Sequence, residues 1–187
     1  MSNIAVLYHS GYGHTKKVAE AVAEGAKADL VAIDAEGNVS EADWTKLDNA
    51  AAIIMGSPTY MGTVSWQFKK FADASSARWF GGKWKNKIAA GFTNSGSASG
   101  DKLSTLVYLM ILSMQHGMIW VGQTEGGPQL KGTDMPKATD INRIGSFSGL
   151  MTQSNNDTPD VTPPSGDIET AKLFGKRIAE ITGKFKA

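Results

Sequence analysis

The chemistry open to this chain rests on hydroxyls, backbone amides and glycines, not on acids, thiols or clustered imidazoles. Ser10-Gly11-Tyr12-Gly13-His14-Thr15 lies between an apolar run and a helical pattern near the N-terminus. A turn of this kind points N–H groups and two hydroxyls at the place where a helix N-terminus attracts an anion, so it reads as a phosphate cradle. It is not a P-loop, because His14 stands where Gly-x-x-x-x-Gly-Lys-Ser/Thr needs its lysine and Lys16 comes too late. It is also a poor dinucleotide turn. Gly11-Tyr12-Gly13-His14-Thr15-Lys16 lacks the last small residue that lets helix and strand pack closely. An ordinary glycine-rich connection closed by a hydroxyl cap fits the same residues equally well.

Two further segments share this chemistry. Ser57 to Thr63 and Thr93 to Gly100 are rich in Gly, Ser, Thr or Pro, and neither they nor the first turn contain a lysine or a carboxylate. A site without paired acids, lysine or an activated nucleophile is ill suited to hydrolysis and well suited to holding a flat, partly polar ring with a phosphate tail. Ser10, Thr15 and Ser95 serve equally well as cap residues. The absence of cysteine excludes disulfides, thiolate metal sites and a cysteine nucleophile, and His9, His14 and His116 suggest no metal cluster. A net charge of +1 without long runs of either sign argues against nucleic acid and membrane surfaces, leaving a small molecule as the expected partner. No apolar stretch is long enough to span a bilayer and no signal pattern opens the chain, so a cytoplasmic protein is expected.

The elements that must position these loops alternate along the chain. Ile4 to Tyr8 has the composition of a buried strand, and Val18, Ala19, Val22 and Ala26 share one face of a helix from His14 to about Lys27. Strands are expected at Leu30–Asp34, Ala50–Gly56, Ile88–Phe92 and Met118–Val121, the second of these buried on both faces. Trp44 to Leu47 reads as one helical turn, and longer helices as Val64–Ser75, Asp101–His116 and Asp167–Lys184. In the second of these longer helices, Leu103, Leu106, Val107, Met110, Ile111 and Met114 form the expected core stripe, as do Ala171, Phe174, Ile178, Ile181 and Phe185 in the last. Five strands joined by helices predict a doubly wound parallel sheet in one domain over residues 1–187, with the three loops converging at the strands' carboxyl ends.

Taken with His116-Gly117-Met118, the ordered loop segments over nearly the whole chain resemble the WrbA-type flavodoxin-like NAD(P)H:quinone oxidoreductases. The resemblance implies a flavodoxin-like fold of strand order 2-1-3-4-5, non-covalent FMN, and a homotetramer exchanging with a dimer. It also implies hydride transfer from NADH or NADPH to flavin N5 and two-electron delivery to a quinone in a ping-pong cycle. Residue by residue, it places Ser10, Gly11, Tyr12, Gly13, His14 and Thr15 around the FMN phosphate and Pro58, Thr59, Tyr60, Met61 and Gly62 beside the ring. Asn94, Ser95, Gly96, Ser97, Ala98 and Ser99 match the second ring-binding loop. Tyr12 matches a nicotinamide-side tyrosine, Trp79 a substrate-side tryptophan and His116 a catalytic histidine near the flavin.

Other readings stand beside these. Trp79, next to Phe80 in a polar turn, serves equally as a ring packed into a neighbouring subunit, and His116 as a helix cap favoured by the dipole. The chain also departs from the family. Tyr60 stands where an arginine is usual, Ala98-Ser99 replaces a more glycine-rich run, and Glu36 to Asn49 is shorter than its counterpart. Gln123 to Ser165 is a long connection, of the kind that is usually functional or interfacial. Two alternatives to the enzyme are an FMN electron carrier of the flavodoxin type, although such carriers are usually strongly acidic, and a non-catalytic flavin-binding regulatory or scaffold protein.

Overall fold

A computed structural model describes residues 3–185. Its parallel sheet has β1 (Ile4–Tyr8) between β2 (Asp29–Ala32) and β3 (Ala52–Tyr60). Beyond β3 lies β5 (Ile88–Ser95), and two short strands, β6 (Ile119–Trp120) and β7 (Leu150–Gln153), share the far edge. The order β2-β1-β3-β5-β6 is the flavodoxin-like arrangement that the family resemblance implies. All these strands are parallel, so their carboxyl ends meet at one edge of the sheet.

Helices cover both faces. α1 (His14–Ala26) and α6 (Ser165–Lys184) lie on one side, over Val6, Ile54, Ala90 and Phe92. They approach closely because both present glycines: a Cβ on Gly25 would fall 1.9 Å from the Lys172 carbonyl oxygen, and one on Gly175 2.1 Å from that of Val22. The other side packs Trp44 and Leu47 of α2 (Glu41–Asn49), Phe68 and Phe71 of α3 (Trp66–Ala74), and Leu106 and Leu109 of α5 (Lys102–Gln115). Trp44, Phe71 and Trp84 stack here, with Trp44 and Phe71 centroids 4.8 Å apart.

Several expectations are corrected. β3 and β5 run on through Ser57–Tyr60 and Thr93–Ser95, so the first part of each expected loop is strand. Met61 and Gly62, at φ 47° and 84°, turn the chain back into β4 (Thr63–Val64), antiparallel to β3. Paired left-handed residues are what a tight hairpin needs. Ser65, not Val64, opens α3, its Oγ accepting from Phe68 N–H at 3.3 Å. α2 is longer than one turn because Ser40 caps it, accepting from Asp43 N–H at 3.1 Å. Trp79 and Phe80 end a short helix, α4 (Ser76–Phe80), not a polar turn.

The edge strand is broken. β6 pairs with Ile88 and Ala89, the chain leaves the sheet, and β7 returns to pair with Phe92 to Ser95. β7 escaped the sequence reading because Leu150-Met151-Thr152-Gln153 is short and embedded in a Gly-, Ser- and Pro-rich stretch. On α5 the expected core stripe is largely outside. Leu103, Val107, Ile111 and Met114 are exposed, while Lys102, Thr105, Leu106, Leu109 and Ser113 are buried. Thr105 turns the helix this way, its hydroxyl meeting that of Thr59 at 2.8 Å. Phe185, just past the end of α6, is likewise exposed.

Candidate functional site

At the carboxyl end of β1 the predicted turn forms a cup. Gly13, at φ 89°, precedes α1 and donates its N–H to Ser10 Oγ at 3.1 Å, while Thr15 is buried at the helix start. The first N–H groups of a 13-residue helix open into this cup, the geometry that favours an anion. The cleft of about 400 Å³ above it is lined by Ser10, Tyr12, His14, Thr15, Pro58 and Tyr60, then by Asn94 to Gly96 and Ser154 to Asp157. Tyr12 and Tyr60 stand at its mouth, centroids 6.3 Å apart and edge to face, and Tyr60 Oη lies 2.8 Å from where a Cβ on Gly11 would be. Burial raises the Tyr60 pKa above its ordinary value, so the phenol stays neutral.

The fourth wall, Ser154 to Asp157, was missed with β7, whose carboxyl end it continues. It is fastened to α1. His14 Nε2 meets the Asp157 carbonyl oxygen at 2.8 Å, and Lys17 Nζ donates to the Pro159 and Asp160 carbonyl oxygens at 2.5 and 3.1 Å. Asp157 thus brings a carboxylate to a site that the predicted loops left without one.

A second cleft of about 460 Å³ adjoins the first, between Thr59, Met61 and Gly62 on one side and Ser95, Gly96, Ser97, Gly100 and Asp101 on the other. Thr59 is a strut, its hydroxyl meeting Thr93 Oγ1 as well as Thr105 Oγ1 at 2.8 Å. Ser104 Oγ donates to the Gly62 carbonyl oxygen and ties the hairpin to α5. None of the N–H groups of Gly96, Ser97, Ala98, Ser99 and Gly100 finds an acceptor among the described residues. Ser95 Oγ is buried, also without a partner there. A cradle of free amides beside an anion cup fits a planar heterocycle with a phosphate tail, as FMN is.

Two predicted residues are elsewhere. His116 follows α5, whose direction carries it to the amino ends of the strands, and it lies just before β6, which pairs with the first residues of β5. It is buried against Trp84 at 4.4 Å between ring centroids, with Nε2 2.9 Å from Ser75 Oγ. Ser75 spends its proton on the Ala72 carbonyl oxygen, so His116 Nε2–H is the donor and the buried Nδ1 has no partner. Burial lowers its pKa. Trp79 packs edge to face on Phe80, next to Arg78, which pairs with Asp48 at 3.6 Å at the end of α2. Within one chain both residues belong to the end of the sheet remote from the clefts. No group of three or more His, Asp or Glu among the described residues could hold a metal ion.

A flavodoxin domain model matches residues 5–105. Flavodoxin FldP of Pseudomonas aeruginosa is 51% identical over 97% of each chain. An NAD(P)H dehydrogenase (quinone) of Rhizobium rhizogenes is 33% identical over the full length of both. Among solved structures, a flavodoxin, WrbA-like protein from Agrobacterium tumefaciens is 50% identical and superposes with a TM-score of 0.79, covering 98% of this chain and 99% of that one. The chain therefore belongs to the flavodoxin domain family and, within it, to the WrbA-like group of NAD(P)H:quinone oxidoreductases.

Proposed function

We propose that the protein is an FMN-dependent oxidoreductase that takes a hydride from NADH or NADPH and passes two electrons to a quinone. The observation that carries this is the pairing of the anion cup at Ser10–Thr15 with the unpartnered amides of Gly96–Gly100 across the same strand ends. The cup receives the phosphate dianion on N–H groups, the Ser10 and Thr15 hydroxyls and the dipole of α1. Pro58 to Gly62 and Asn94 to Ser99 enclose the ring. Bound FMN supplies the two-electron chemistry, and the protein supplies orientation and access.

The exposed Tyr12, Tyr60 and Met61 give the mouth an apolar face on which a nicotinamide or quinone ring stacks. A single open face shared by both substrates supports the ping-pong order, each leaving before the other enters. Tyr60, in the place of the family's usual arginine, removes a cation there. The exposed residues of α5 support assembly into a dimer or tetramer of the chain. No helix among the described residues is long and apolar enough to cross a membrane, which suits a cytoplasmic site of action.

A second reading, an FMN electron carrier that oxidises no nicotinamide, is favoured by the 51% identity to Flavodoxin FldP and by the remoteness of Trp79 and His116 from the clefts. Steady-state oxidation of NADH and NADPH by the FMN-loaded protein, with benzoquinone as acceptor, separates the two. Sustained turnover is the expected result. Loaded protein that turns over neither nicotinamide is the carrier.

A further inference from the structure

Each carbonyl oxygen from Ser95 to Ser99 is held by a donor at the end of β7 or the start of α5. Ser154 N–H donates to the Ser95 carbonyl oxygen at 3.0 Å, and Gln153 Nε2 to that of Gly96 at 3.0 Å. Lys102 Nζ donates to the Ser97 carbonyl oxygen and to those of Ala98 and Ser99 at 3.1 and 3.5 Å. Lys102 is fully buried in the first turn of α5, an unusual place for a lysine unless it is paired. Gln153 is fixed in its turn: its Oε1 accepts from Arg143 Nη1 at 3.2 Å and its N–H donates to Asp167 Oδ2 at 2.8 Å. Arg143 closes the set with two bonds to Asp167, at 2.7 and 3.2 Å, where Asp167 lies buried in the first turn of α6.

We infer that Lys102, backed by the Gln153–Arg143–Asp167 chain, is a positioning residue that turns the amides of Gly96–Gly100 toward the ring of the bound flavin. The inference rests on the FMN reading of the site. A peptide whose oxygen is held on one side must present its N–H on the other, and an ammonium with three donors can hold three successive oxygens where a glutamine holds one. The loop has no charged side chain of its own between Ser95 and Gly100. The charged groups facing Lys102 are Asp167 from α6 and Arg143 from the connection before β7, and Asp101 is its neighbour in sequence. Burial lowers the Lys102 pKa to about 8, with Asp167 opposing the shift and Arg143 adding to it. Above that pH the amine loses a proton, and with it one donor and the charge that strengthens the others. Ring binding therefore weakens as pH rises through about 8.

The test is the FMN dissociation constant of the apoprotein, read by flavin fluorescence from about pH 7 to about pH 9.5, for the wild type, Lys102→Met and Lys102→Arg. Methionine fills the space without donors or charge, and the variant's own profile serves as the control for other titrating groups, the flavin included. The expected result is binding weakened by about tenfold in Lys102→Met at pH 7, with partial recovery in Lys102→Arg. Wild-type affinity falls toward the variant's as pH passes 8, by more than the variant's own profile changes. Riboflavin, which lacks the phosphate, loses the same factor as FMN. Equal affinity of wild type and Lys102→Met at pH 7, or a wild-type profile as flat as the variant's, overturns the inference. If Lys102→Met does not fold, the wild-type profile decides alone, and a flat one is contrary. Should the wild type bind no FMN at any pH, the reading of the site fails together with the inference. Tight binding that ignores Lys102 fails the inference only.

Discussion

His116 shows how a residue's neighbours decide its role more firmly than its type does. Its ring lies on Trp84 and donates to Ser75 Oγ, leaving Nδ1 buried and bare. A second proton on that ring would have no acceptor, so the folded protein keeps it neutral. His9, buried with Nδ1 2.8 Å from Ser65 Oγ, has its pKa lowered by burial as well. A base whose pKa is lower in the folded state is protonated first in the unfolded chain, so stability is present above the unfolded value and lost as pH falls through it. Thermal melts should therefore show a falling midpoint from about pH 7 toward pH 5, and His116→Ala should flatten part of that slope. The same substitution should cost about 1 to 3 kcal/mol of stability through lost packing and leave FMN affinity unchanged. A lowered FMN affinity in a fully folded His116→Ala protein would place the ring at the flavin after all. The sequence placed His116 correctly at a helix end, but a helix end says nothing about which edge of the sheet it faces. Lys102 was illegible for a related reason: a lysine in a first turn reads as solvated, and only the packed loop reveals three carbonyls waiting for it.

The helices and strands set how far the loops can move. α1 and α6 meet through Gly25 and Gly175, and this contact fixes the start of α1 under the cup and the start of α6 behind the ring loop. Gly25→Ala drives a methyl group into the Lys172 carbonyl. Overpacking of this kind should cost about 1 to 3 kcal/mol, measured as a lower urea midpoint with an unchanged slope. A midpoint equal to the wild type would mean that the helix pair is free to slide. The strands were legible wherever an apolar run was long enough to be buried on both faces, as at Ile53–Met55 and Ile88–Ala90. Their polar ends were not, because Thr59, Thr93 and Asn94 are strand residues whose side chains bond across the sheet and Ser57 is one whose hydroxyl meets Ser65 at the start of α3, and composition alone assigns them all to loops. β7 failed for both reasons at once, and with it went the Ser154–Asp157 wall of the site.

The whole molecule leaves an apolar band on one flank. Leu103, Val107, Ile111 and Met114 run along the outer face of α5, and Met135 and Phe147 of the connection before β7 are exposed as well. The buried face of α5 mixes Leu106 and Leu109 with Lys102, Thr105 and Ser113, so periodicity took the more apolar outer stripe as core. A contiguous exposed stripe of this kind suits contact with a second copy of the chain. Ile111→Glu with Met114→Glu should shift the protein to the monomer in sedimentation velocity without lowering FMN affinity, and an unchanged oligomer would show that assembly uses another surface. The doubly wound parallel sheet was the most legible property, since alternating strands and helices allow few other topologies. In the proposed function, this fold brings a phosphate cup and an amide cradle together to hold FMN where a nicotinamide can reach it. The most direct measurement is anaerobic: apoprotein is loaded with FMN, freed of excess, and titrated with NADH and then NADPH while the visible flavin band is followed. Stoichiometric FMN retention, bleaching by at least one nicotinamide, and recovery of the band on adding benzoquinone are expected. Protein that retains no FMN, or retains it and is bleached by dithionite but by neither nicotinamide, contradicts the proposed function.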